Sequence, residues 1–258
     1  MMRTANLMPV VNIKRFLLDL KDDLLDFVYP QACAICRNPL KREETDVCEE
    51  CWKALALLPS SYCPYCRTSL ENQDEIANHQ CPNLTGSEER RILAVRSLGT
   101  FDDHYQKLVH RVKYEKKIHL GRRLAQRLGE STSEDKCFAG CDMVIPVPLH
   151  RARQRERGFN QSEVLAEGIS RVMGVSLTKD VLTRKRNTKD QTYLNARQRA
   201  ENVKGAFVVT QPEKTDGKRV ILVDDVMTTG ATLNECARVL QEAGAAGVFA
   251  ATLAAVVD

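Results

Sequence analysis

Two adjacent carboxylates, Asp224 and Asp225, follow four apolar residues, Val220-Ile221-Leu222-Val223, and precede Val226-Met227-Thr228-Thr229-Gly230-Ala231-Thr232. The apolar run predicts a buried strand, and in an open α/β sheet ligands bind at the C-terminal ends of strands. The turn that follows has what a phosphate needs. Thr228, Thr229 and Thr232 offer hydroxyls, and Gly230 lets the backbone come close. The helix that opens at Ala231 presents free N–H groups and the positive end of its dipole. A Walker A loop would carry a lysine here, in the pattern G-x-x-x-x-G-K-[ST], and this turn has none. The carboxylates would repel a phosphate but accept hydrogen bonds from neighbouring sugar hydroxyls. Together the two parts suit a ribose 5-phosphate. The plain alternative is a strand–turn–helix whose Asp and Thr side chains only cap the helix.

A second set of residues suits metal. Seven of the ten cysteines lie between positions 33 and 81. Cys33-x-x-Cys36 and Cys48-x-x-Cys51 make a complete four-thiolate set, the ligand pattern of a closed, structural tetrahedral Zn²⁺ site. Cys63-x-x-Cys66 begins a second set, and Cys81 continues it. Its expected partner three residues on is Leu84. His79 is near enough to be the fourth ligand; otherwise the second site is degenerate. Without metal, residues 31–85 hold too few apolar side chains to fold alone. Cys236 reads as core. Cys137 and Cys141, four apart, do not have ribbon spacing and are assigned no metal.

These residues need elements to position them. Residues 1–30 read as an amphipathic helix and lead-in, with Ile13, Phe16, Leu17, Leu20 and Leu24 at helical spacing. Charges at Asp19, Lys21, Asp22 and Asp23 exclude a signal peptide there, and no apolar run is long enough to span a membrane. A cytoplasmic location is therefore expected. Residues 31–85 are rich in cysteine and turns, and the polar stretch 83–90 reads as a linker. From residue 91 onward, strands alternate with helices, which predicts an α/β domain with a parallel, helix-covered sheet over 91–258. Expected strands are 92–95, 143–147, 181–182, 206–209, 220–223 and 247–257. Expected helices are 103–128 (with an interruption at Gly121), 162–172 closed by Gly174, and 231–243 with Gly244 just beyond its end.

Charge divides the same way. The net charge is +4, yet residues 1–90 hold 10 Lys/Arg and 14 Asp/Glu while residues 91–258 hold 28 and 20. Anionic ligands are thus expected in the second part. Four arginines against one glutamate fill residues 149–157, and Arg184-Lys185-Arg186 stands between two expected strands.

The segment 220–232 resembles the PRPP (phosphoribosyl pyrophosphate) motif of type I phosphoribosyltransferases. A further series narrows the resemblance: Val144-Ile145-Pro146-Val147-Pro148-Leu149-His150-Arg151, then Arg157-Gly158-Phe159-Asn160-Gln161, Asn187-Thr188, Gln191, Arg197, and Asn202-Val203-Lys204-Gly205-Ala206-Phe207. With the Cys-rich head, these residues resemble the ComF family of competence-linked proteins over nearly the whole chain. That resemblance implies a double zinc ribbon at 31–85 joined to a type I phosphoribosyltransferase-like domain, and a role in importing single-stranded DNA. It implies PRPP held by Asp224, Asp225 and residues 228–232. Residues 147–151 would form the pyrophosphate loop and residues 184–191 a closing loop. Arg151 and Lys185 would handle pyrophosphate, with Mg²⁺ neutralising it. The enzymatic expectation is phosphoribosyl transfer to an unidentified acceptor. The rival is a non-catalytic module that senses PRPP or bridges DNA to an import helicase.

Residues 107–127 hold eight Lys/Arg against Glu115 alone. Phe101, Tyr105 and Tyr114 stand within or just before this run, where they could stack on bases. A solvated helix face, with Lys113 assisting the PRPP site, is the alternative.

Overall fold

The computed structural model describes residues 31–84, 90–188 and 195–256. The expected helix within 1–30, most of the linker and the tip of the closing loop lie outside them. The chain divides into two compact units, one ending at Lys53 and one beginning at Ala54. The first Cys set belongs to the first unit. The second Cys set belongs to the same unit as the α/β sheet.

The first unit contains a Cys-bearing turn after Cys33 and most of helix α1 (Glu49–Ala54), with Cys48 just before the helix and Cys51 within it. Its buried residues include Cys33, Val47 and Cys48. Arg37 follows the first Cys pair with φ 65°, and its N–H donates to the Cys33 carbonyl. The second unit repeats this turn. Arg67 has φ 64° and donates to the Cys63 carbonyl. The twin Cys-x-x-Cys sequences therefore fold into twin knuckles.

The elements of the second unit begin with a small hairpin, β1 (Ser61–Tyr62) and β2 (Ser69–Leu70), and helix α2 (Gln73–Asn78). Then come β3 (Val95–Thr100), α3 (Asp103–Tyr114), α4 (Ile118–Ser133), β4 (Met143–Pro146), α5 (Arg151–Arg157), α6 (Gln161–Met173) and β5 (Ser176–Leu177). β6 (Leu182–Arg184), α7 (Ala196–Val203) and β7 (Phe207–Val209) follow, and β8 (Arg219–Met227), α8 (Ala231–Glu242) and β9 (Gly247–Ala255) close the described chain. The main sheet runs β2-β1-β3-β9-β8-β4-β5. From β3 to β5 every pairing is parallel, as expected for a helix-covered sheet. β6 and β7 form a separate antiparallel ribbon, so the two strands expected around the closing loop do not join the main sheet. The second Cys set is continuous with the sheet, because β1 pairs with β3 at Tyr62 and Val95.

Two differences from the expected elements have clear physical causes. β3 lies at 95–100 rather than 92–95, because two buried polar side chains inside it are satisfied. Arg96 reaches Asp135 and Ser131. Ser97 bonds Tyr62 and Thr252. Buried polar groups with partners are tolerated where unpaired ones are not. The long helix breaks at 115–117 instead of at Gly121, with Lys116 at φ 55°. Gly121 stays helical.

The core explains why β8 can carry charge at its end. Residues 220–223 and all nine residues of β9 are buried. β8 is fixed between β4 and β9, with Val223 paired to Pro146 on one side and Ala251 on the other. Helices α4 and α6 pack closely through small residues. A side chain at Gly168 would meet Ala125 backbone atoms at 2.7 Å.

Candidate functional site

The strand that carries the two aspartates continues past them to Met227. In a strand, successive side chains point to opposite faces, so the pair divides its work. Asp224 receives the Ser162 hydroxyl at 3.0 Å from the start of α6, and its own Oδ1 also accepts the Asp225 N–H at 2.9 Å. Asp225 is buried on the other side and pairs with Lys113 at 2.7 Å from the end of α3. Burial pushes the Asp224 carboxyl up to about 7, with the neighbouring Asp225 charge adding to it. The Asp225 N–H, Lys113 and Ser162 pull in the opposite direction.

The turn is built as its residue types demand. Gly230 sits at φ 73°, a left-handed conformation that suits glycine, and leads directly into α8. It offers no capping side chain, which leaves the first helical turn suited to an external anion. Residues 224 and 226–233 line a small hollow of about 30 Å³. Thr229 is exposed, and Thr228 is half-buried and receives a hydrogen bond from Arg199.

Beside this turn opens a cavity of about 450 Å³. Asp224, Asp225, Thr228 and Thr232 form one wall, and Val147, Pro148 and Leu149 form another. Four arginines line it: Arg153, Arg157, Arg184 and Arg199. Arg184 is held over the Phe207 ring at 5.3 Å, and burial lowers its pKa while Asp224 opposes that shift. Its Nε is buried without a hydrogen-bond partner among the described residues, which a bound anion would satisfy. Carboxylates able to hold sugar hydroxyls, a turn shaped for phosphate and guanidinium groups able to hold a further anion therefore meet in one cavity.

The expected pyrophosphate residues are placed differently from the rest. Arg151 opens α5 and is exposed, and Lys185 is exposed just after β6; neither lines the cavity. Arg153, two residues into the same helix, and Arg184, one residue earlier in its ribbon, do line it. Ser162 and Arg199 carried no signal in the sequence, because each reaches the site only through helix packing. Lys113 lines the cavity as well, paired with Asp225.

The knuckle at 63–67 reaches the same turn. The Tyr65 hydroxyl accepts the Arg91 and Ile92 N–H groups at 3.1 and 3.2 Å and donates to Asn234 in the first turn of α8 at 2.8 Å. Arg67 extends to within 3.5 Å of the Thr228 carbonyl.

Both Cys sets are assembled. The Sγ atoms of Cys33, Cys36, Cys48 and Cys51 lie within 4.8 Å of one another, as do the ligand atoms of Cys63, Cys66, His79 and Cys81. His79 Nε2 stands 3.3 Å from Cys66 Sγ. Of the two readings of His79, this placement fits the ligand. Three thiolates with one imidazole, like four thiolates, form a donor set that suits closed tetrahedral zinc. The Cys33 sulfur also accepts the Ile35 and Cys48 N–H groups at 3.4 Å each, bonds that favour a thiolate. Cys137, Cys141 and Cys236 are buried and belong to no such cluster among the described residues.

The basic run 107–127 is divided between α3 and α4, so it does not form one helical face. Tyr105 is buried, with its hydroxyl on the Ala56 carbonyl, and is removed from any stacking role. Tyr114 is 61% exposed. No helix among the described residues is long and apolar enough to cross a membrane.

Residues 160–257 match the phosphoribosyl transferase domain family, and residues 24–84 match the double zinc ribbon domain family. The DNA utilization protein YhgH of Escherichia coli O157:H7 is 30% identical over 222 residues, covering 85% of this chain and 94% of that protein. Competence protein F of Haemophilus influenzae is 29% identical over 216 residues, covering 82% and 91%. Competence protein ComFC of Bacillus subtilis is 28% identical over 252 residues, covering 88% and 95%.

Proposed function

The chain belongs to the ComF family, and from that premise we propose that its α/β unit binds PRPP in a competence-related role in DNA uptake. The observation that carries the reading is the cavity that joins Asp224, Asp225, Thr228 and Thr232 to four arginines, with the hollow of residues 226–233 beside it. In this reading the two carboxylates hold the ribose hydroxyls. Residues 228–232, with Gly230 at φ 73° and Ala231 opening the helix, hold the 5-phosphate. The pyrophosphate faces the arginine wall, where Mg²⁺ would offset its charge. Arg151 and Lys185 would approach it from the exposed ends of their elements. Structural zinc in both Cys sets completes the protein as it would work in the cell.

As an enzyme, the protein would transfer phosphoribose to an acceptor. A second reading is a non-catalytic PRPP sensor, or an adapter between single-stranded DNA and an import helicase. Its support is the exposure of Arg151 and Lys185 away from the cavity. Pyrophosphate release in the presence of nucleobases separates the two readings.

Titration calorimetry of zinc-loaded protein with PRPP and Mg²⁺ tests the binding itself. Saturable binding is expected, with ribose 5-phosphate weaker and lost in Gly230→Val. Absence of PRPP binding to folded protein would overturn the proposal.

A further inference from the structure

A second hollow of about 560 Å³ adjoins the phosphoribosyl cavity. Lys113, Tyr114, Arg153 and Arg157 wall both spaces, so the two are neighbours across one partition. Lys116 and Glu156 line only the second. Four cations thus face one carboxylate there. Lys113 pairs with Asp225 on the donor side, and Lys116, Arg153 and Arg157 against Glu156 still give the wall a net positive charge. Such a wall favours an anion.

The hollow also presents an aromatic face. Tyr114 is one of three large hydrophobic side chains exposed among the described residues. Its ring is held from two directions, by His110 at 4.9 Å between centroids and by the Arg157 guanidinium at 5.4 Å. A ring ordered in this way and still 61% exposed is a ready stacking platform.

The backbone beside it is strained. Lys116 adopts φ 55° in the turn between α3 and α4. A lysine takes that left-handed conformation at a cost, and such outliers concentrate at ligand clamps. Its ammonium passes over Gly158, 3.8 Å from where a side chain would begin. Glycine would satisfy the turn without strain, yet the chain has a cation there.

We propose that this hollow is a second ligand subsite, for a nucleotide that stacks its base on Tyr114 and sets its phosphate against Lys116, Arg153 and Arg157. The proposal rests on the reading of the first cavity as the PRPP site, which makes the nucleotide a neighbour of the phosphoribosyl group. A phosphate here has two possible sources: the donor's own pyrophosphate, or a separate molecule. The exposed ring favours the separate molecule, because pyrophosphate has nothing to stack.

The test uses the full-length, zinc-loaded protein with AMP as the probe, titrated with and without saturating PRPP. Expected is saturable AMP binding that persists when PRPP is bound. Tyr114→Ala should weaken AMP roughly tenfold or more, as loss of base stacking does, and weaken pyrophosphate far less. Lys116→Gly should weaken AMP while holding or raising the melting temperature, because glycine relieves the left-handed turn. That variant separates lost binding from lost folding. AMP that displaces PRPP one for one, or Tyr114→Ala and Lys116→Gly that weaken pyrophosphate as much as AMP, would assign the hollow to the donor and overturn the proposal. Protein that binds PRPP but not AMP overturns it as well. Protein that binds AMP through Tyr114 and Lys116 but not PRPP keeps the subsite and refutes the donor reading.

Discussion

Asp224→Asn should make the ligand-free protein more stable and the ligand-bound protein weaker. The Asp224 carboxyl is raised from an ordinary 3.8 to about 7, by burial first and by Asp225 second. Between those values the folded state holds a proton that the unfolded chain releases. The unfolded chain therefore binds fewer protons, and stability falls as pH rises from about 4 to about 7, then levels off. Three pH units correspond to at most about 4 kcal/mol. Asp224 keeps part of its surface open to the cavity, so solvent reduces this to about 1–2 kcal/mol. Asparagine keeps an oxygen for the Ser162 hydroxyl and the Asp225 N–H and removes the charge. At about 2–4 °C per kcal/mol for a unit of this size, the variant should melt roughly 2–8 °C above the wild type at pH 8. The gap should close toward pH 5. Scanning calorimetry at pH 5, 6, 7 and 8, with and without PRPP, reads both effects. PRPP should stabilise the wild type increasingly as pH rises through 7 and should stabilise the variant little at any pH. If the two proteins melt together at pH 8 with the same pH slope, burial does not raise the Asp224 carboxyl.

Two further outcomes follow from the Cys-bearing knuckles. Tyr65→Phe removes one hydroxyl and strands the Arg91 and Ile92 N–H groups and the Asn234 side chain. It should cost about 1–3 kcal/mol, visible as a lower melting temperature, and should weaken PRPP because Asn234 lies in the helical turn proposed to hold the 5-phosphate; an unchanged melting curve would show that water replaces the hydroxyl. Metal analysis should find two zinc ions per wild-type chain and about one in His79→Ala, whereas equal metal content in the two proteins would remove His79 from the ligand set.

The parts of this protein that are local in sequence were legible before folding. The strand–turn–helix at 220–232 carries its own periodicity and its glycine, and Gly230 takes the left-handed angle that its place in the turn required. The alternation of strands and helices announced a parallel sheet, and the paired Cys-x-x-Cys spacings announced two knuckles. Each of these signals lies within a few residues of the group it positions. What required the tertiary structure was everything brought together from distant segments. Ser162, Arg184 and Arg199 lie 62, 40 and 25 residues before Asp224 and have no shared pattern with it. Only the packing of α6, the β6–β7 ribbon and α7 aims them at one cavity. The break at Lys116 was hidden because nothing in its side chain signals a left-handed residue. The bounds of β3 depended on folding as well, because Arg96 and Ser97 read as exposed until Asp135, Tyr62 and Thr252 come to meet them. Local propensity and spacing are properties of the chain, whereas the solvation of a charge or a hydroxyl depends on which other groups surround it after folding.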